Sequence, residues 1–395
     1  AMGQVICRDL SICSPVNKVV IADISVERAN LLLRKLPSAR AEFIQTDITS
    51  QESMVKALTG ADAVINSTPY QFNLDVMEAA LTAGCHYLDL GGLFHMTRRQ
   101  LELHERFKAA GLLAVLGMGA APGMTNVMAA HAASEMEEIE EIIITVGGVE
   151  FSKSNHPFLP PYSLDTILDE YALEPMVFED GRFKPRAPMA AETLVEMPWP
   201  VGKIKTFLTL HSEVATLPVT YKSKGIKRCH YRLGLPDSFH EHAKFLVQLG
   251  FGSNEEIKVG DVLVPPRQML ARLIQLHPEP DSEPNDCEVV RVDVRGKRDD
   301  KPAFTRMESI VYSHPEWRVS CGALDTGVPP SIVAQMICLG QIEERGVLPP
   351  EQCVPALLFF DELEKRQIPM RKTTQEELSV VAQPQEQHLE MGDLV

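Results

Sequence analysis

The stretch Val19-Val20-Ile21-Ala22-Asp23 decides the fold. Four small or β-branched apolar residues make a short strand pattern that ends on an acid, and Ile24-Ser25 then opens a helical pattern. Outward from it the same unit returns. Residues 42–44, 63–66, 87–90 and 113–116 read as further strands. The intervals between them carry apolar residues at three- and four-residue steps, as in Ala29, Leu32, Leu33, Leu36 and in Met54, Val55, Leu58. Strands that alternate with such helices predict an α/β domain of Rossmann type, a doubly wound parallel sheet covered by helices on both faces.

In that fold an acid at the end of a strand hydrogen-bonds the ribose of a bound dinucleotide, about 20 residues after the last glycine of a Gly-x-Gly-x-x-Gly turn. Asp23 holds the acid's place, Gly3 stands at that spacing before it, and residues 4–10 read as a helix. The first strand and the first two glycines are then missing, which the reading expects to mean a shortened chain or a misassigned start. Asp23 repels a 2′-phosphate, so NAD is expected as cofactor with NADP as the alternative, and Arg28 nearby weakens the preference. A helix-capping role is the plain alternative for Asp23. A second glycine-rich run, Gly117-Met118-Gly119-Ala120-Ala121-Pro122-Gly123, also stands between a strand and a helix. Pro122 removes an amide from it, so it is expected to close the nicotinamide end rather than to hold phosphate.

The chain has 395 residues, 45% hydrophobic, enough for a large core and a second domain. A net charge of −16 argues against a nucleic-acid partner, whose phosphates need clustered Lys and Arg. The eight cysteines form no Cys-x-x-Cys pair and no zinc-spaced set with histidine, so no metal and reduced thiols are expected. No apolar run reaches the roughly 18 residues of a membrane span and no signal pattern opens the chain, so a cytoplasmic location is expected.

Beyond residue 123 a helix (124–136) and a strand (142–146) precede a proline-rich loop at 152–162. To about residue 320 strand patterns (205–210, 289–295) mix with helices (164–171, 239–249), predicting an α+β domain. Residues 278–286 read as a surface loop, His240 and His242 as solvent-facing, Pro265-Pro266-Arg267 as a chain turn, and the end of the chain as a polar tail.

Several segments together resemble the saccharopine dehydrogenase-like family, nearest its lysine 6-dehydrogenase branch. They are Asp62-Ala63-Val64-Ile65-Asn66-Ser67-Thr68-Pro69-Tyr70, His86-Tyr87-Leu88-Asp89-Leu90, Ala121-Pro122-Gly123-Met124-Thr125-Asn126, Ser212-Glu213-Val214-Ala215-Thr216-Leu217-Pro218, Thr326-Gly327-Val328-Pro329 and Gly346-Val347-Leu348-Pro349-Pro350-Glu351. Ala121 replaces the acid that saccharopine-forming members carry before Pro-Gly, which points to the lysine branch. Against that branch, Arg232-Leu233-Gly234-Leu235-Pro236-Asp237-Ser238 lacks the Arg, Gly and His of its pocket motif, so another amino acid or amine becomes a plausible substrate.

The resemblance implies a dinucleotide domain (1–122), a substrate and dimerisation domain (123–322) and a C-terminal helical segment (323–370) returning to the first, while residues 371–395 read from their composition as a polar tail. It also implies a homodimer and NAD(P)-dependent oxidation of an amino acid at a C–N bond. Two alternatives stay open: a saccharopine or carboxynorspermidine type of reductase that condenses an amine with a carbonyl compound, and a non-catalytic dinucleotide-binding scaffold. At the strand ends, where doubly wound folds bind ligands, Asp89 is the first catalytic candidate, for substrate ammonium binding or proton transfer, and the Tyr70 phenol is the second, for a hydrogen bond to the substrate or a relay water. Capping and structural burial are their rivals. Gly3, Asp23, Asp47, Asn66, Thr68 and Pro69 are expected on the cofactor side. Asn126, Ser212, Glu213, Thr216 and Arg232 are expected on the substrate side, with surface salt bridging as the alternative for Glu213 and Arg232.

Overall fold

The computed structural model describes residues 2–12, 15–37, 40–152, 156–278 and 282–376. The chain opens with the helix Met2–Ile12 and runs through β1 (Val19–Asp23), β2 (Ala41–Gln45), β3 (Ala63–Asn66), β4 (His86–Asp89) and β5 (Leu113–Val115), with helices in every interval. Serines start two of these helices: Ser25 accepts from Arg28 N and Ser50 from Ser53 N, satisfying amides the first turn leaves free. Helix Met124–Ser134 then leads into the second sheet. Its strands are β6 (Glu138–Glu150), β7 (Met176–Glu179), β8 (Arg182–Pro185), β9 (Thr193–Glu196), β10 (Lys203–Leu208) and β11 (Arg228–Gly234). A separate hairpin, β12 (Ile257–Val259) and β13 (Val262–Val264), precedes the long β14 (Asp286–Arg298) and β15 (Lys301–Tyr312). The helix Cys321–Cys338 carries the chain back to β16 (Gly346–Leu348), and β17 (Arg371–Glu376) closes the described part.

The first sheet is parallel throughout and lies in two pieces, β2-β1 and β16-β5-β4-β3. Among the described residues no strand bridges β1 and β3. Register Asn66↔Asp89 brings the C-terminal ends of β3 and β4 level, so the loops that follow share one edge. The second sheet runs β17-β15-β14-β6-β11-β10-β9, with β7 and β8 attached to β11. It is antiparallel except where β11 pairs with β6.

Two readings of the C-terminal part are corrected. The segment 323–370 is not wholly helical, because Gly346–Leu348 pairs with Leu113–Val115 and extends the first sheet. Three residues are too few to show a period. The tail does not begin at 371, since Arg371–Glu376 pairs with Glu308–Ala303 as an edge strand, of which residues 371–375 are exposed. Residues 377–395 lie outside the described residues.

Helix Cys321–Cys338 joins the two sheets. Leu324, Val328, Ile332 and Val333 are buried in one core with Val5, Leu88 and Val115 of the first unit and Val290 and Val292 of the second. Near its middle Gly327 lets the opening helix approach closely, for a Cβ there would stand 2.6 Å from Val5 Cβ. The loops beyond β3, β4 and β5 are thereby held against the core face of the second sheet. No helix among the described residues is long and apolar enough to cross a membrane.

Candidate active site

At the first-sheet edge the cofactor-side residues fall into two groups. A Cβ at position 3 would stand 3.1 Å from Ser67 Oγ, so the first turn of helix Met2–Ile12 presses on the loop after β3 with its backbone exposed toward that loop. Helix amides beside a strand-end loop are the setting that holds a dinucleotide phosphate, and the residues present fit one. Asn66 Oδ1 accepts from Thr68 N at 3.2 Å and from Thr68 Oγ1 at 2.7 Å, which shapes the turn before Pro69. Asp23 is half-exposed, accepts from Ser25 N at 2.7 Å, and has Arg28 at 3.5 Å. Asp47 instead bonds to its own turn through Thr49 N (2.9 Å) and Thr49 Oγ1 (2.7 Å), and these bonds hold its carboxyl below the usual range. Asp47 thus shapes the turn ahead of the helix Gln51–Leu58, whose first turn Ser50 caps.

Asp89 is corrected as a proton-transfer residue. Its side chain is completely enclosed. It accepts from Gln100 Nε2 (2.6 Å), Gly117 N (2.7 Å), Tyr87 Oη (2.9 Å), Gly91 N (2.9 Å) and Asn73 Nδ2 (3.2 Å). Burial raises its pKa and these donors oppose the rise. With every lone pair occupied, the carboxylate ties the loops after β4 and β5 together and presents nothing to a substrate. The run 117–123 likewise closes on itself. Gly119 N donates to Pro122 O at 2.7 Å, and Met124 N donates to Gly119 O at 2.9 Å. Positive φ at Gly117 (68°) and Gly123 (128°) makes that turn accessible to glycine alone.

The second unit brings a buried polar cluster against these loops. Ser212 Oγ accepts from Thr97 Oγ1 (3.1 Å) and Gly92 N (3.4 Å), and so docks on the segment after β4. The adjacent Glu213, 0% exposed, accepts from Thr125 Oγ1 at 2.7 Å and bonds His211 Nδ1 with its other oxygen. That burial removes the surface salt-bridge reading of Glu213. The His211 ring stacks on Tyr231, with centroids 3.6 Å apart and 4° between planes. Its Nε2 faces Glu170 Oε1 at 3.9 Å, and Glu170 Oε2 accepts from Tyr162 Oη. Burial lifts Glu170 to about 7. For His211 burial is the largest influence and acts downward, but the charge and hydrogen bond of Glu213 together with the Glu170 charge outweigh it, and the net shift is upward.

Next to Glu170, Asp169 accepts from Tyr70 Oη at 2.8 Å and from Arg267 at 2.7 Å. Tyr70 therefore links the β3 loop to the second unit. Asn126 accepts from Gly123 N at 3.0 Å and donates to Glu351 at 2.8 Å, with Thr216 at 3.3 Å. These last three residues brace helix Met124–Ser134 behind the cluster.

Three expectations do not hold. Arg232 faces away from the cluster: strand alternation puts Tyr231 on the core face and Arg232 on the other, where it donates to Ala191 O at 2.9 Å. His240 is buried, 3.0 Å from Tyr171 Oη, because it lies on the inner face of helix Asp237–Gln248, whereas His242 is exposed. Pro266 starts the helix Pro266–Gln275, and Arg267 is a buried partner of Asp169 rather than part of a turn. Sequence reasoning missed Tyr162, Asp169, Glu170, His211 and Arg267. Two signals were available: His211 immediately precedes the quoted Ser212-Glu213, and Asp169-Glu170 interrupt the apolar side of a helix between Leu168 and Tyr171.

The model of the saccharopine dehydrogenase C-terminal domain matches residues 119–368, and that of the saccharopine dehydrogenase NADP binding domain matches residues 1–115. The chain is 27% identical to carboxynorspermidine synthase of Vibrio cholerae over 344 residues, covering 80% of each. It is 23% identical to carboxyaminopropylagmatine dehydrogenase of Synechocystis sp. over 376 residues, covering 90% of this chain and 91% of the relative. Apo saccharopine dehydrogenase (L-Glu forming) from Saccharomyces cerevisiae shares the fold, with a TM-score of 0.72 at 18% identity over 95% of this chain and 98% of that one. The two enzymes matched along most of the chain match the condensing alternative rather than lysine 6-dehydrogenase. The dinucleotide-type sheet, the second sheet packed on its strand ends and both family models lead to one conclusion: this chain belongs to the saccharopine dehydrogenase family of NAD(P)-dependent oxidoreductases.

Proposed function

We propose that the chain is an NADP(H)-dependent reductase that joins a primary amine to a carbonyl compound and reduces the resulting C=N bond to a secondary amine. The observation that carries this reading is the cluster of Asp169, Glu170, His211 and Glu213, buried between the second sheet and the loops after β3, β4 and β5. Carboxylates gathered against the strand-end loops, the edge at which dinucleotide folds bind their ligands, suit a substrate that arrives as an ammonium ion. The names of the two matched enzymes describe amines extended by a carboxyl-bearing chain. We extend that class here: a diamine or guanidino-amine as one partner, and an aldehyde bearing an amino-acid head as the other.

The residues that would hold the cofactor are Gly3 and Ser67 at the phosphates, Thr68 beside them, and Asp23 with Arg28 at the ribose. When bound, the reduced dinucleotide supplies the hydride. The protein's own part is to collect the amine by charge, to hold both partners at one place and to keep water from hydrolysing the C=N bond. Tyr70, held by Asp169, and Ser212, held by Thr97, fasten the loops of the first unit to the second beside the cluster.

Omission kinetics test this reading. NADPH oxidation followed by absorbance is expected with amine and aldehyde together and not with either alone. NADP+ or NAD+ reduction by lysine alone would return the reading to oxidative deamination. Cofactor binding without turnover of any pair would support the scaffold.

A further inference from the structure

Two polar atoms of buried residues face each other in the cluster, His211 Nε2 and Glu170 Oε1. His211 Nδ1 is bonded to Glu213, which leaves Nε2 directed at Glu170 Oε1 across 3.9 Å. Glu170 is held from its other side by Tyr162, so its free oxygen cannot turn away without breaking that bond. The stack on Tyr231 fixes the imidazole plane, and Thr125 fixes Glu213 from the loop side. A separation of 3.9 Å is too long for a hydrogen bond, yet one oxygen atom placed between the two could lie about 2.8 Å from each. Neighbours of the pair touch the loops after β3 and β4, through Asp169 to Tyr70 and through Ser212 to Gly92.

Resting on the reductase reading above, we propose that this gap holds the hydroxyl of the carbinolamine formed when amine adds to aldehyde, with His211 as the catalytic acid and Glu170 as the acceptor that orients the hydroxyl. In the step assigned to it, His211 Nε2–H gives its proton to the hydroxyl oxygen and the C–O bond breaks. Water leaves, the nitrogen lone pair forms the C=N bond, and the product is an iminium ion. Hydride addition to its carbon then yields the neutral secondary amine. The sequence consumes one proton per turnover, the one His211 regains from solvent. Glu213 is a positioning residue: by accepting from Nδ1 it places the proton on Nε2 and favours the imidazolium. The ionisable groups that face the ring are Glu213 from helix Glu213–Thr220, Glu170 from helix Leu164–Ala172 and Tyr231 from β11.

The test uses the full chain with NADPH, a diamine and an aldehyde. His211→Gln is expected to lower kcat/KM a hundredfold or more, the usual loss of a general acid, while NADPH still binds. Glu213→Gln is the milder variant. It is expected to move the alkaline limb of the kcat/KM profile to lower pH, and to move the His211 titration seen by nuclear magnetic resonance by the same amount. Wild-type turnover with an unmoved limb in Glu213→Gln, or a His211→Gln variant at wild-type rate, overturns the assignment and leaves the reductase reading standing. A wild-type protein that binds NADPH and turns over no pair overturns both.

Discussion

At the scale of single residues, Asp89 holds loops together where its position along the chain suggests chemistry. Asp89 ends a parallel strand, where ligands bind in this fold, but five donors converge on it and it organises the loops. Replacing it by alanine leaves Gly91 N, Gly117 N and Gln100 without their acceptor, and is expected to cost about 3 kcal/mol of stability. Chemical denaturation checks this through a lower midpoint at unchanged slope. The sequence identified the strand end correctly, since Asp89 depends only on local pattern. It could not show the donors, because Asn73, Gln100 and Gly117 come from three different segments. Arg232 shows the same limit. Period two places Tyr231 and Arg232 on opposite faces, but only the packing of the sheet tells which face meets the cleft.

At the scale of elements, helix Cys321–Cys338 carries two predictions. Gly327→Ala would put a Cβ 2.6 Å from Val5 Cβ and 3.2 Å from Met2 O, so the opening helix must shift. Overpacking of this kind is expected to destabilise by about 2 kcal/mol, read as a lower Tm. On the same helix Asp325 is fully enclosed, and burial first, then the nearby Glu288, raises its pKa well above the ordinary 3.8. A carboxyl raised in the folded state stabilises most below its ordinary pKa, and that contribution disappears as pH climbs through the raised value. Asp325→Asn cannot ionise, so it is expected to melt above wild type at pH 8 and closer to it at pH 5. A wild-type Tm higher than the variant's at pH 8 would contradict the sign. Elements were legible where apolar period and length were sufficient, as for β1, β3, β4 and helix Leu164–Ala172. They were illegible at β16, with three residues, and at β17, an edge strand polar on both faces.

At the scale of the molecule, the order of strands and helices revealed the first domain, and the quoted motifs revealed the family. What the sequence concealed was the meeting of the two units, because Tyr70 and Asp169 lie 99 residues apart and Thr125 and Glu213 lie 88 apart. That meeting creates the buried carboxylate and imidazole cluster, and with it the case for a condensing reductase. The most direct test is mass spectrometry of the product formed from NADPH, a diamine and an amino-acid aldehyde. One new species is expected, whose mass is the sum of the partners, less one water, plus two hydrogens. Release of ammonia from lysine with reduction of NAD(P)+, and no such species, would contradict the reductase reading.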